Sequence, residues 1–219
     1  MRQEIIDSIL AKKIIVIVRG MPAEDILPTA QAMCEAGIKQ MEFTLNQSDP
    51  VERLDTARTI ALLREKLGDR MYFGAGTVMN VQQLDLVESA GAQFIISPHT
   101  NTSVIEKTVA HGMVSIPGAF SPTEIQTAHE AGADFVKVFP VNVLGPAYVK
   151  AVLAPLNNIR LLAVGNMDIT TMEPFWNAGC VGWGMGGKII DREAIAKRDF
   201  ARVAAVAKEY TALADSLTR

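Results

Sequence analysis

The chain has 219 residues, 49% of them hydrophobic and 21% charged, and Lys+Arg 21 against Asp+Glu 24 leaves a formal charge of −3. That length suits one α/β domain with a large buried core, and the near-balanced charge argues against a nucleic-acid protein, which would carry a basic excess or stripe. The aliphatic runs are short, Ile14 to Val18 among the longest, whereas a membrane-spanning helix needs about 20 apolar residues.

In chain order, a helix is expected over Gln3–Ala11, ahead of a first strand at Ile14–Arg19. Glu4 and Asp7 interrupt the N-terminal apolar residues, and no secretory core or cleavage site is present, so a cytoplasmic protein is expected. Short β-branched and aromatic runs then recur at Gln40–Leu45, Tyr72–Thr77, Phe94–His99, Met113–Gly118, Phe135–Pro140, Arg160–Gly165 and Gly182–Gly187. Such runs suit buried parallel strands. Helix-like segments end at Ala36-Gly37, Ala90-Gly91, His111-Gly112, Ala131-Gly132 and Ala178-Gly179, where glycine reaches a left-handed cap cheaply. Helix starts are expected at Asp49-Pro50-Val51-Glu52 and Ser121-Pro122-Thr123-Glu124, each an N-cap, a proline and a returning Glu. Thr170-Thr171-Met172-Glu173 predicts a third such box, and Phe200, Val203, Ala204, Ala207 and Tyr210 mark one face of a last helix ending near Asp215.

Eight strand-helix units with no break in composition predict a single α/β domain over residues 1–219, a (β/α)8 TIM barrel with an N-terminal helix. The alternative, an open doubly wound sheet, lacks its GxGxxG after the first strand; Gly182-Trp183-Gly184-Met185-Gly186-Gly187 lies at the wrong end of the chain.

In such barrels chemistry sits at the C-terminal strand ends. Lys137 falls inside Phe135-Val136-Lys137-Val138-Phe139-Pro140, where alternation puts it on one face with Phe135 and Phe139. A buried lysine is either half of a structural ion pair or an amine whose cationic form is disfavoured, ready to form a Schiff base with a carbonyl. Glu42, on one face with Thr44 and Asn46, is either that lysine's salt-bridge partner or a proton shuttle. Gly165 and Gly186-Gly187 are turn glycines or a phosphate cradle at the strand-seven and strand-eight loops, to which Lys188 adds charge. Arg19 ends the first strand, as an anion contact or a surface ion pair. No HxH or HExxH occurs among the three histidines, so no metal site is expected. Cys34 and Cys180 are far apart and expected to be packed thiols.

These residues resemble the 2-keto-3-deoxy-6-phosphogluconate/4-hydroxy-2-oxoglutarate aldolases, the KDPG and KHG aldolases, along nearly the whole chain. The resemblance rests on Ile17-Val18-Arg19, Glu42-Phe43-Thr44-Leu45, Gly74-Ala75-Gly76-Thr77-Val78, Ser97-Pro98, Pro117-Gly118, Lys137-Val138-Phe139-Pro140 and Gly186-Gly187 in that order. It implies a homotrimeric class I aldolase, without cofactor or metal, that splits a keto-acid substrate into pyruvate and an aldehyde. It makes Lys137 the Schiff-base lysine and Glu42 the acid/base. Arg19, Thr44, Asn46, Thr77, Pro98 and Phe139 are expected around the substrate, and Gly165, Asn166, Gly186 and Gly187 at its phosphate end. Gluconate-type members usually have arginine where Asn46 stands, and galactonate-type members have Leu-Asn there. Asn166 replaces a usual glycine, and Lys188 a common serine. A phosphate-binding isomerase or synthase of the same fold would explain the glycines but not a buried Lys137. A silent sugar-acid binding protein would not need Lys137 and Glu42.

Overall fold

The computed structural model describes residues 1–218. Its strands are β1 (Ile14–Val18), β2 (Gln40–Thr44), β3 (Tyr72–Gly76), β4 (Phe94–Ile96), β5 (Val114–Ile116), β6 (Gly118–Ala119), β7 (Val136–Val138), β8 (Leu161–Val164) and β9 (Gly182–Met185). Its helices are α1 (Arg2–Lys12), α2 (Ala23–Glu35), α3 (Pro50–Leu67), α4 (Val81–Ser89), α5 (Thr102–Ala110), α6 (Pro122–Glu130), α7 (Gly145–Leu153), α8 (Ile169–Ala178), α9 (Arg192–Ala196) and α10 (Phe200–Ser216).

The strands form one parallel sheet in the order β5-β4-β3-β2-β1-β9-β8-β7-β6. Its two ends, β5 and β6, are separated in the chain only by Pro117. The expected fifth strand, Met113–Gly118, is therefore two pieces. Proline brings no N–H to a ladder, and here the chain changes neighbours. Ile116 still accepts from the Ser97 amide at 3.4 Å, while Pro117 already accepts from the Lys137 amide at 2.8 Å. The result is a nearly closed barrel of eight staves, the predicted TIM-like fold.

Alternation divides the apolar residues into two clusters. Outward residues such as Val16, Met41, Phe43 and Phe73 pack under the helices. Inward residues Ile15, Phe94, Phe135 and Leu162 pack with Ile5, Ile6 and Ile9 of α1, which plugs the N-terminal end of the barrel. Cys180 and Cys34 lie within and against the outer cluster.

Two of the three expected caps differ in detail. Ser121 and Glu124 form the full reciprocal box. Asp49 accepts from Val51 N and Glu52 N, but the Glu52 carboxylate turns to Asn46. At α8 the cap is Asp168 rather than Thr170: Asp168 accepts from Thr170 N, and the Thr171 hydroxyl accepts from Asp168 N. Aspartate is the stronger N-cap residue of the two, and its charged carboxylate accepts from the free Thr170 amide.

Candidate active site

At the C-terminal mouth the inward stripe of β2 carries Gln40, Glu42 and Thr44, with Glu42 opposite Gly74 and Thr44 opposite Gly76 on β3. These glycines are needed as empty volume. A Cβ on Gly74 would lie 2.3 Å from the Phe94 ring, and one on Gly76 would lie 1.6 Å from Glu42 Oε1. The carboxylate of Glu42 thus rests on the bare backbone of β3.

Glu42 is 1% exposed and Lys137, central in β7, is 7% exposed. Burial pushes the Glu42 carboxyl above its ordinary range, against the lowering pull of Lys137 and Arg19. Burial also pushes the Lys137 amine below the ordinary lysine value, opposed by Glu42 and reinforced by Arg19. No ion pair within 4.0 Å joins the two among the described residues, and Glu42 Oε2 has no hydrogen-bond partner. The simple salt-bridge alternative therefore lacks its contact. Lys137 Nζ sits instead 4.7 Å from the centre of the Phe139 ring.

A cavity of about 460 Å³ opens above them. Arg19, Glu42, Thr77, Pro98, Lys137 and Phe139 line it, Glu42 and Lys137 being buried and Arg19 exposed. An Arg19 guanidinium N–H donates to Thr77 Oγ1 at 3.2 Å, and Arg19 forms no ion pair among the described residues. Gly165, Asn166, Gly186 and Gly187 line it as well, together with the exposed Lys188. Gly165 has φ 126°, and a Cβ there would lie 2.9 Å from Asn142 Oδ1, so the loop after β8 requires glycine at this point. Asn166 and Thr77 also have positive φ, at 47° and 57°.

Ten of the twelve expected site residues therefore surround one cavity. Thr44 and Asn46 do not line it. The Thr44 hydroxyl donates to Val18 O at 3.3 Å. The Asn46 amide donates to Glu52 Oε2 at 2.7 Å, and its oxygen accepts from the Ser48 amide and hydroxyl. Ile17, Val164, Met167 and Gly184 also line the cavity. For Ile17, Val164 and Gly184, inward alternation on their strands was the available signal. No group of three or more potential metal ligands occurs among the described residues. No helix among them is long and apolar enough to cross a membrane.

A parallel barrel whose mouth gathers a desolvated amine, a buried carboxylate, Arg19 and Lys188 has the groups that carbonyl chemistry uses. More particularly, the chain belongs to the family described as KDPG and KHG aldolase, whose model matches residues 5–206; it is an aldolase, a carbon–carbon lyase. It is 33% identical over 198 residues to the 2-dehydro-3-deoxy-6-phosphogalactonate aldolase of Escherichia coli strain K12, covering 90% of this chain and 94% of that one. It is 32% identical to the 2-dehydro-3-deoxy-phosphogluconate aldolase of Treponema pallidum, covering 94% and 95%. A solved native KDPGal structure superposes with a TM-score of 0.81 at 32% identity, covering 92% of this chain and 93% of that one.

Proposed function

We propose that this protein is a class I aldolase that reversibly cleaves a 2-keto-3-deoxy-6-phospho sugar acid into pyruvate and an aldehyde such as glyceraldehyde 3-phosphate. The observation that carries the reading is the buried Lys137 amine, free of any ion pair among the described residues, sharing a cavity with the partnerless oxygen of Glu42. Low exposure holds more of the amine in its neutral, nucleophilic form.

Neutral Lys137 attacks the keto carbon, and Glu42 delivers the proton that lets the carbinolamine lose water. The resulting iminium accepts the electron pair of the breaking C3–C4 bond while the C4 hydroxyl proton passes to Glu42. The aldehyde leaves, the enamine takes a proton at C3, and water releases pyruvate and restores the amine. No cofactor is required by this chemistry. Arg19 and Thr77 are placed to hold the keto-acid carboxylate, with Pro98 and Phe139 as walls. We assign the distal anion to the loop glycines, Asn166 and Lys188, which line the same cavity. We extend the reading, on family likeness, to a single-domain cytoplasmic homotrimer; the Leu45-Asn46 pair of galactonate-type members, and not a contact of Asn46 with the cavity, carries the expectation that the galactonate-type C4 epimer is at least as good a substrate as the gluconate-type one.

Borohydride added with pyruvate is expected to fix a covalent adduct on Lys137, located by peptide mass. Cleavage activity with Lys137 unmodified under those conditions, or full activity in Lys137→Ala, overturns the Schiff-base assignment. A cleavage assay over both C4 epimers, with and without the phosphate, fixes the substrate.

A further inference from the structure

Thr77 stands at the end of β3 with φ 57°. A β-branched residue in the left-handed region is an outlier that persists only where its surroundings over-determine it. Its hydroxyl faces the cavity and accepts from Arg19. Its carbonyl, on the other side, accepts from Gln47 Nε2 at 2.7 Å.

That bond is the end of a directed chain. The Met79 amide donates to Gln83 Oε1 at 2.8 Å, which fixes which end of the Gln83 carboxamide is oxygen. Gln83 Nε2 therefore donates to Gln47 Oε1, at 2.7 Å, and this in turn leaves the Gln47 NH2 for Thr77 O. Both glutamines are anchored. Asn80 Oδ1 accepts from Gln83 N at the start of α4, and the Arg53 guanidinium of α3 donates to the carbonyls of Asn46 and Gln47. A closed ring of bonds thus runs from the 77–79 backbone through two side chains and back. Neither glutamine lines the cavity.

We propose that Gln47 and Gln83 are positioning residues for substrate recognition: they latch Thr77 in its left-handed conformation and so hold its hydroxyl and Arg19 at the keto-acid carboxylate. This rests on the aldolase reading above. Without the latch, Thr77 relaxes toward negative φ and its hydroxyl swings off the cavity wall. Lys137 and Glu42 are held by other strands and keep their places. The loss falls on binding and leaves the covalent step alone.

The test is a pyruvate titration of borohydride trapping at Lys137. Gln47→Leu and Gln47→Glu both abolish donation to Thr77 O; the second keeps the size should the first fail to fold. One lost hydrogen bond corresponds to a roughly 3- to 10-fold rise in half-saturating pyruvate, with the limiting extent of trapping and its pH profile unchanged. Gln83→Leu is expected to do the same through Gln47. In a Thr77→Gly background, where positive φ is unstrained, adding Gln47→Leu is expected to change half-saturation by less than about 1.5-fold. Parental half-saturation in the Gln47 variants, or their full effect persisting beside Thr77→Gly, overturns the latch and leaves the aldolase standing. Failure of the parent protein to trap pyruvate overturns the aldolase reading and the latch with it.

Discussion

At the level of single residues the site is a set of conflicts held in place by burial. Lys137 and Glu42 were readable because each is a charged residue inside an otherwise apolar strand, and alternation alone put them on inward faces. Gly76 was not readable as their partner, because that needs the β2–β3 register. Nor was the fate of Asn46, which Glu52 and Ser48 occupy in the loop after β2. Glu42→Gln is expected to lower kcat by about 10²–10⁴-fold, the usual contribution of a general acid–base group. It also gives a pH test. Only the neutral amine attacks, so trapping of pyruvate should rise with pH through a midpoint below the ordinary lysine value. The Glu42 charge stabilises the ammonium and raises that midpoint. Its removal must therefore shift the profile toward acid; a profile that stays put or moves to alkali would show the two groups uncoupled. Gly76→Ala makes a sharper prediction. The added methyl meets the Glu42 side chain from Oε1 at 1.6 Å back to Cγ at 2.6 Å, so the buried carboxylate must move. Such overpacking costs about 1–3 kcal/mol, so the melting temperature should fall modestly while kcat falls at least 10²-fold, measured on the same preparation.

At the level of elements, strands were legible from their apolar runs, and the last one to three residues of most predicted runs proved to be loop, although Gly118, the end of the fifth run, is strand β6. The break in the fifth stave was not legible, because Pro117 reads equally as a strand end or as an edge residue until its neighbours are known. The cap of α8 was misplaced by two residues because Thr170-x-x-Glu173 fits the capping pattern, whereas Asp168-x-x-Thr171 has threonine where the pattern has Glu or Gln, and only the structure shows the Thr171 hydroxyl closing the box. The role of α1 follows from the inner cluster. Ile9 is fully buried among inward side chains at the closed end of the barrel. Ile9→Ala should destabilise the protein by about 2–5 kcal/mol, as large-to-small changes in cores do, read by urea unfolding. Since the cavity lies at the other end, kcat of the folded protein should be unchanged.

On the scale of the whole molecule, a chain of net charge −3 gathers Arg19, Lys137 and Lys188 around one cavity against the single carboxylate of Glu42. A concave mouth of one sign attracts a substrate of the other. Replacing Lys188 with Gln should raise KM for the phosphorylated substrate about tenfold, near the low end for a hydrogen bond to a charged group, and leave pyruvate trapping at Lys137 untouched. Equal effects on both would place Lys188 at the wrong end of the cavity. Apart from the split at Pro117, neighbouring strands in the barrel are neighbours in the chain except at one seam, where β1 meets β9, Ile14 against Trp183. During synthesis each later strand finds its predecessor already made, but the second edge of β1 waits for almost the entire polypeptide to emerge. That edge is Ile14-Ile15-Val16-Ile17-Val18, the kind of uncharged β-branched segment that recruits other chains when left unpaired. Lys12 and Lys13 before it and Arg19 after it then serve the nascent protein as gatekeepers, setting positive charge at both ends of the strand until β9 arrives to cover it.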